Sequence, residues 1–122
     1  MKVREFLERC PKTNQDKCAI VVYYDFHGRK KYPSVVSIHE DDVKVRHDEE
    51  FISICFKMPK DNEADDSDTM SVTEFANFCN ENGTMDYAIE FNMFDGVFTH
   101  LFIPDEEDVY IPDGFDCVCL CY

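Results

Sequence analysis

Met1-Lys2-Val3-Arg4-Glu5-Phe6 and Met70-Ser71-Val72-Thr73-Glu74-Phe75 read as two versions of one segment. Laid over one another, 69 positions apart, they also bring Cys10 onto Cys79 and Ala19-Ile20 onto Ala88-Ile89. That is seven identities in 26 ungapped positions, where ordinary residue usage gives about two. With a small deletion, Ile38 and Glu40-Asp41-Asp42 before Val43 match Ile103 and Asp105-Glu106-Glu107-Asp108 before Val109. Further on, Ser53-Ile54-Cys55-Phe56 matches Cys117-Val118-Cys119-Leu120. The blocks keep their order, as a duplicated unit requires.

Local patterning agrees between the copies. Val3, Phe6, Leu7 and Cys10 fall on one face of a helix, as do Val72, Phe75, Ala76 and Cys79. Pro11 stops the first helix. Ser71 and Glu74 fit a capping box, and Asn82-Gly83 fits a C-terminal stop. A strand follows each helix, over 18–26 and 85–94; the second puts Tyr87, Ile89, Phe91 and Met93 on one face and Asp86, Glu90 and Asn92 on the other. Turns are expected at His27-Gly28 and Asp95-Gly96. Further strands are expected over 32–39, 43–46 and 51–57, and over 97–103, 109–111 and 115–122. In the strand 97–103 both faces are apolar, which requires cover on both sides. A central place between packed layers is expected for it, with a protein interface as the alternative.

The expected class is therefore α+β: two related α-β-β-β(β) halves, with antiparallel sheets and one short helix each. Residues 1–60 form the first repeat, 61–69 an acidic linker and 70–122 the second repeat. A half of about 60 residues is marginal alone, so the two are expected to make one compact unit.

Charge separates the halves. All 12 Lys and Arg lie at or before Lys60, where they meet ten acids for a balance of +2. Residues 61–122 hold 16 acids and no Lys or Arg, a balance of −16. A net charge of −14 excludes a generic binder of nucleic acid or anionic membrane. No apolar run reaches transmembrane length and none near Met1 resembles a secretory signal, so a cytoplasmic setting is expected. The odd count of seven cysteines fits reduced thiols there.

Candidate chemistry is sparse. The four glycines form no phosphate-binding loop, and no His/Cys pair has dyad spacing. Cys117-x-Cys119-x-Cys121 puts three thiols on one side of a strand, about 6.6 Å apart in succession. A zinc ion would need a bend and a fourth ligand there. A metal-binding or structural module built on these thiols is one alternative. Asp61-x-Glu63-x-Asp65 lacks the Gly and the last Glu of a calcium loop. Asp25 with Asp42 and Lys44 outlines a Mg²⁺-dependent nuclease, the second alternative, although a −14 surface repels DNA. His27, His39 and His47 are expected to be solvated and His100 to be structural.

The opening Met1 to Glu8 and the following Ala19-Ile20-Val21-Val22 resemble small proteins of phages and mobile elements, which start with a short helix and a hairpin. The acidic balance also resembles the anti-CRISPR and DNA-mimic inhibitors of that setting, a group without a common motif. The resemblance implies a role, and it carries over no residue. Physically, 16 uncompensated carboxylates match the charge on roughly 27 Å of duplex.

The expected function is thus a non-enzymatic, cofactor-free acidic protein that occupies the basic surface of a nucleic-acid-binding protein. Asp105, Glu106, Glu107, Asp108, Asp113 and Asp116 are the expected contacts, with Asp86 and Glu90 on an exposed strand face. Their carboxylates would accept Lys and Arg hydrogen bonds in place of phosphates. Homodimerisation is left open.

Overall fold

The computed structural model describes residues 1–24, 34–57, 69–94, 96–112, 114 and 116–121. The turn at His27-Gly28, Asp25, Asp95, Asp113 and all of the 61–69 linker except Thr69 lie outside the described residues. Helix α1 spans Val3–Arg9 and helix α2 spans Val72–Glu81. Ser71 caps α2 by accepting the Glu74 N–H at 3.1 Å. Gly83, at φ +66°, turns the chain out of α2, and Asn14, its counterpart 69 residues earlier, has φ +57°. Glycine takes that left-handed conformation freely, and asparagine is among the few others that tolerate it.

Eight strands follow the expected order: β1 (Ala19–Tyr24), β2 (Ser34–Ser37), β3 (Val43–Arg46), β4 (Phe51–Lys57), β5 (Ala88–Phe94), β6 (Thr99–Phe102), β7 (Val109–Tyr110) and β8 (Cys117–Cys121). One-turn 3-10 segments, Glu40–Asp42 and Glu106–Asp108, precede β3 and β7. The fold is α+β, with two four-stranded sheets and two helices.

The sheets are shared between the halves. Sheet 1 runs β2-β1-β8-β7 and sheet 2 runs β3-β4-β5-β6. Each half contributes one antiparallel hairpin to each sheet. The hairpins meet at a central parallel pair, β1 with β8 and β4 with β5. An antiparallel sheet for each half is thereby corrected to two mixed sheets built by both halves. The physical reason is that a lone two-stranded hairpin is marginal in water, and joining another hairpin buries its inner face. Alternation along a strand shows which side is apolar and says nothing about which strand lies alongside.

The halves grip one another reciprocally. Val3 N–H donates to Tyr87 C=O and Val72 N–H to Cys18 C=O, each at 2.9 Å. Ile20 N–H donates to Met70 C=O at 3.0 Å, and Ile89 N–H to Met1 C=O at 2.9 Å. Ala19 N–H reaches Asp116 C=O at 3.0 Å as Ala88 N–H reaches Glu50 C=O at 3.1 Å. Phe6 and Phe75, equivalent by the 69-residue shift, meet edge to face with centroids 5.6 Å apart. A residue touching its own equivalent marks a two-fold axis, here an internal one.

One core lies inside this frame. It takes Ile20, Val22, Val118 and Leu120 from sheet 1, Ile52, Ile54, Ile89 and Phe91 from sheet 2, and Phe6 and Phe75 from the helices. Strand register refines the internal alignment: Cys117 pairs with Ala19 as Phe51 pairs with Ala88. The counterpart of Cys117 is therefore Phe51, two residues before Ser53, a shift that preserves which side faces inward.

A second correction concerns the strand expected between layers. β6 is the edge of sheet 2. Val97 is 75 % exposed, Phe98 68 % and Leu101 60 %. Among the described residues, no helix is long and apolar enough to cross a membrane.

Candidate protein-binding surface

The eight acids singled out in the sequence meet different fates. Asp105, Glu106, Glu107 and Asp108 come together on the 3-10 turn between β6 and β7. The turn itself employs one of them: Asp108 Oδ2 accepts the Asp105 N–H at 2.8 Å. Asp42 does the same for His39 N–H at 3.0 Å in the equivalent turn. An acid at this third position thus has a structural task, satisfying an N–H that the short helix leaves open. Asp105 and Glu107 are exposed, while Glu106 and Asp108 are half-buried.

Arginines of the first half reach three of the others. Arg9 donates to Glu106 Oε2 at 2.6 Å, and this bond is the main cause holding the Glu106 carboxyl below its usual range. Arg4 donates to Asp86 at 3.3 Å, both side chains being well exposed. Arg46 bonds Glu90 Oε1 and Glu49 Oε2, each at 2.5 Å. The Glu90 bond is the leading cause of a raised Arg46 pKa.

Glu90 requires a correction: it is 2 % exposed, so it does not stand on an open strand face. Arg46 Nη1, the Asn92 amide at 3.5 Å and a Ser53 hydroxyl bonded to that amide close it off from water. Burying a carboxylate is tolerated when it is paired and hydrogen-bonded in this way. Asp116 is exposed, and Asp113 lies outside the described residues. No local sequence signal reveals the pairs made by Asp86, Glu90 and Glu106, because each joins the first half to the second.

What the acids adjoin is apolar. All large hydrophobic side chains that stand exposed among the described residues belong to one segment: Phe94, Val97, Phe98, Leu101, Ile103, Tyr110 and Ile111. The segment runs from the edge of sheet 2, through the acidic 3-10 turn, to the edge of sheet 1. Asp105 and Glu107 interrupt it. The two-faced apolar pattern of 97–103 was its visible signal in the sequence.

The other candidates resolve as follows. Cys117, Cys119 and Cys121 are half-buried on the outward face of β8, with Val118 and Leu120 inward. Burial, and then the neighbouring Cys117, push the Cys119 thiol up to about 12. Burial likewise pushes Cys10 to about 12 and Cys79 to about 11. Among the described residues no three His, Cys, Asp or Glu side chains converge where a metal ion could be held. Asp42 caps its turn and Lys44 stands exposed on edge strand β3; Asp25 lies outside the described residues. His47 is exposed and shares a 2.9 Å hydrogen bond with the Tyr87 hydroxyl. Comparison with protein-family models, curated proteins and solved structures gives no significant match.

Proposed function

We propose that this chain is a non-enzymatic binding protein whose contact surface is the segment 94–111, and whose partner is a basic nucleic-acid-binding protein. One observation carries the reading. The exposed large apolar side chains gather in a single segment, and the exposed carboxylates of Asp105 and Glu107 lie within it. An exposed apolar patch with a polar rim is the usual mark of a protein interface. A segment that intersperses exposed apolar side chains with exposed carboxylates favours a partner that offers apolar sockets beside Lys or Arg. Occupying such a surface on a nucleic-acid-binding protein would compete with its ligand.

This reading divides the labour between groups. Leu101, Ile103 and Tyr110 would supply the buried contacts. Asp105 and Glu107 would speed encounter and fix orientation, as complementary charge does across an interface. Glu106 and Glu90 would contribute little, being held by Arg9 and Arg46 of the same chain.

The test is capture from nuclease-treated lysate at low and moderate salt, comparing wild type with two variants. Leu101→Asp with Tyr110→Ser is expected to lose the captured protein at both salts, a drop of more than about tenfold for two central contacts. Asp105→Asn with Glu107→Gln is expected to keep it, with a weaker salt dependence. Capture by the first variant equal to wild type would overturn the assignment of the surface.

A further inference from the structure

We infer that the two halves of this protein are exchangeable between copies: residues 1–57 of one chain can complete residues 70–122 of another, giving a two-chain form with two intact globules. The observation is the reciprocity of the contacts between halves. Neither sheet exists without both halves, since each has a hairpin from either side of residues 58–69. The central pairs β1 with β8 and β4 with β5 join different halves. So do the contacts of Val3 with Tyr87, Val72 with Cys18, Ile20 with Met70 and Ile89 with Met1. Phe6 meets Phe75 across the internal axis. None of these contacts is covalent, and one stretch of chain, residues 58–69, links the halves. A second copy therefore offers the first half everything that its own second half offers.

Charge fixes which halves pair. Arg4 with Asp86, Arg9 with Glu106 and Arg46 with Glu90 each join a base of the first half to an acid of the second. Two second halves would bring together segments of −11 each, with no base between them. Like-with-like pairing is thus opposed, and exchange between unlike halves keeps every ion pair. This also gives the lopsided charge a role within the molecule. The exchange is independent of what the segment 94–111 binds.

Concentration decides between the two forms. Closure within one chain competes with pairing between chains through an effective concentration of millimolar order for a short link. The closed monomer then dominates at micromolar protein, and the exchanged dimer becomes comparable near about 1 mM. Interconversion requires the halves to separate, so a dimer formed by refolding should outlast dilution.

Two experiments test this. First, ¹⁴N- and ¹⁵N-labelled full-length chains are unfolded together and refolded at about 10 µM and about 1 mM. Native mass spectrometry after dilution is expected to show mixed-isotope dimers from the concentrated sample, persisting for hours. Absence of dimers, or dimers lost within seconds as in an ordinary surface contact, would overturn the inference. Second, Ile20→Asp damages the first half of one copy and Ile89→Asp the second half of another; both side chains are fully buried. Separately, neither variant is expected to show cooperative unfolding. Refolded together at about 1 mM, they are expected to give a two-chain species with roughly half the wild-type circular dichroism, because one of its two globules is undamaged. A mixture whose signal is the sum of its parts counts against exchange. Should either variant fold alone, the isotope experiment, which uses the unmutated chain, decides.

Discussion

Sheets 1 and 2 share a strand order, a parallel central pair and inward rows of aliphatic side chains, yet their outward faces differ. In sheet 1 the outward side of the central pair carries Val21 beside Cys119 and Tyr23 beside Cys121. In sheet 2 the same places carry Glu90 beside Ser53 and Asn92 beside Cys55, closed over by Arg46. Inward positions answer to one common core, where a change of even one methylene is felt. Outward positions answer only to their own neighbours. The two halves are alike in the first set and unlike in the second.

Several measurements would break or sharpen this comparison. The inward positions should respond alike. Ile20→Ala in sheet 1 and Ile89→Ala in sheet 2, both fully buried, should each cost about 2–5 kcal/mol in denaturant unfolding. Unfolding transitions that fail to coincide when followed by probes in the two sheets would mean that the sheets do not share one cooperative core.

The outward positions should respond differently. Arg46→Ala leaves the Glu90 carboxylate buried without its main partner and should lower Tm clearly; Lys44→Ala, two residues earlier on the same face of the strand, should not. Giving sheet 2 the chemistry of sheet 1, with Glu90→Val and Arg46→Met together, should leave Tm unchanged or raise it, since a buried ion pair often adds no more than an apolar pair of similar volume. A large drop for the double variant would show that the polar cluster is needed for the fold.

The helix ends offer a smaller contrast. α2 starts against sheet 1, with Ser71 bridged to Ala19, and α1 starts against sheet 2, with Lys2 bridged to Ala88. Ser71 caps its helix by its own hydroxyl, so Ser71→Ala should cost about 1 kcal/mol. Lys2 has no side-chain cap bond, and Lys2→Ala should be nearly silent in a urea titration.

The smallest effect should come from acid. Glu106 has a lowered pKa, so its bond to Arg9 favours the folded state above the unfolded carboxylate range near pH 4.3 and ceases to do so as pH falls through the folded value. Arg9→Gln should therefore flatten the acid limb of a stability profile and leave the pH 7 to 9 region parallel to wild type.

The repeat made the element order legible. Helix positions, hairpins and the acidic turns could all be read locally, because each depends on neighbours a few residues away. Sheet composition could not. The pairing of Ala19 with Cys117 spans most of the chain and leaves no periodic trace. The same blindness misplaced Glu90. Its alternation with Ile89 and Phe91 correctly assigns it to the polar face, and only the tertiary approach of Arg46 buries that face. Asp86, Glu106 and Glu90 looked uncompensated for the same reason, since their counter-charges come from Arg4, Arg9 and Arg46. For the segment 97–103, the two-faced apolar pattern is local and legible, whereas its place at an edge follows from the shared sheets.

The pairing of β1 with β8 also bears on how the protein is made. β8 leaves the ribosome about 100 residues after β1, a delay of roughly 5 to 20 seconds at ordinary elongation rates. Throughout that interval Ile20 and Val22 lack the Val118 and Leu120 beside which they finally lie. Several nascent chains on one message would hold unfinished first halves close together. The rate of translation, and any chaperone that shields those strands, would then influence whether each chain closes on itself or on its neighbour.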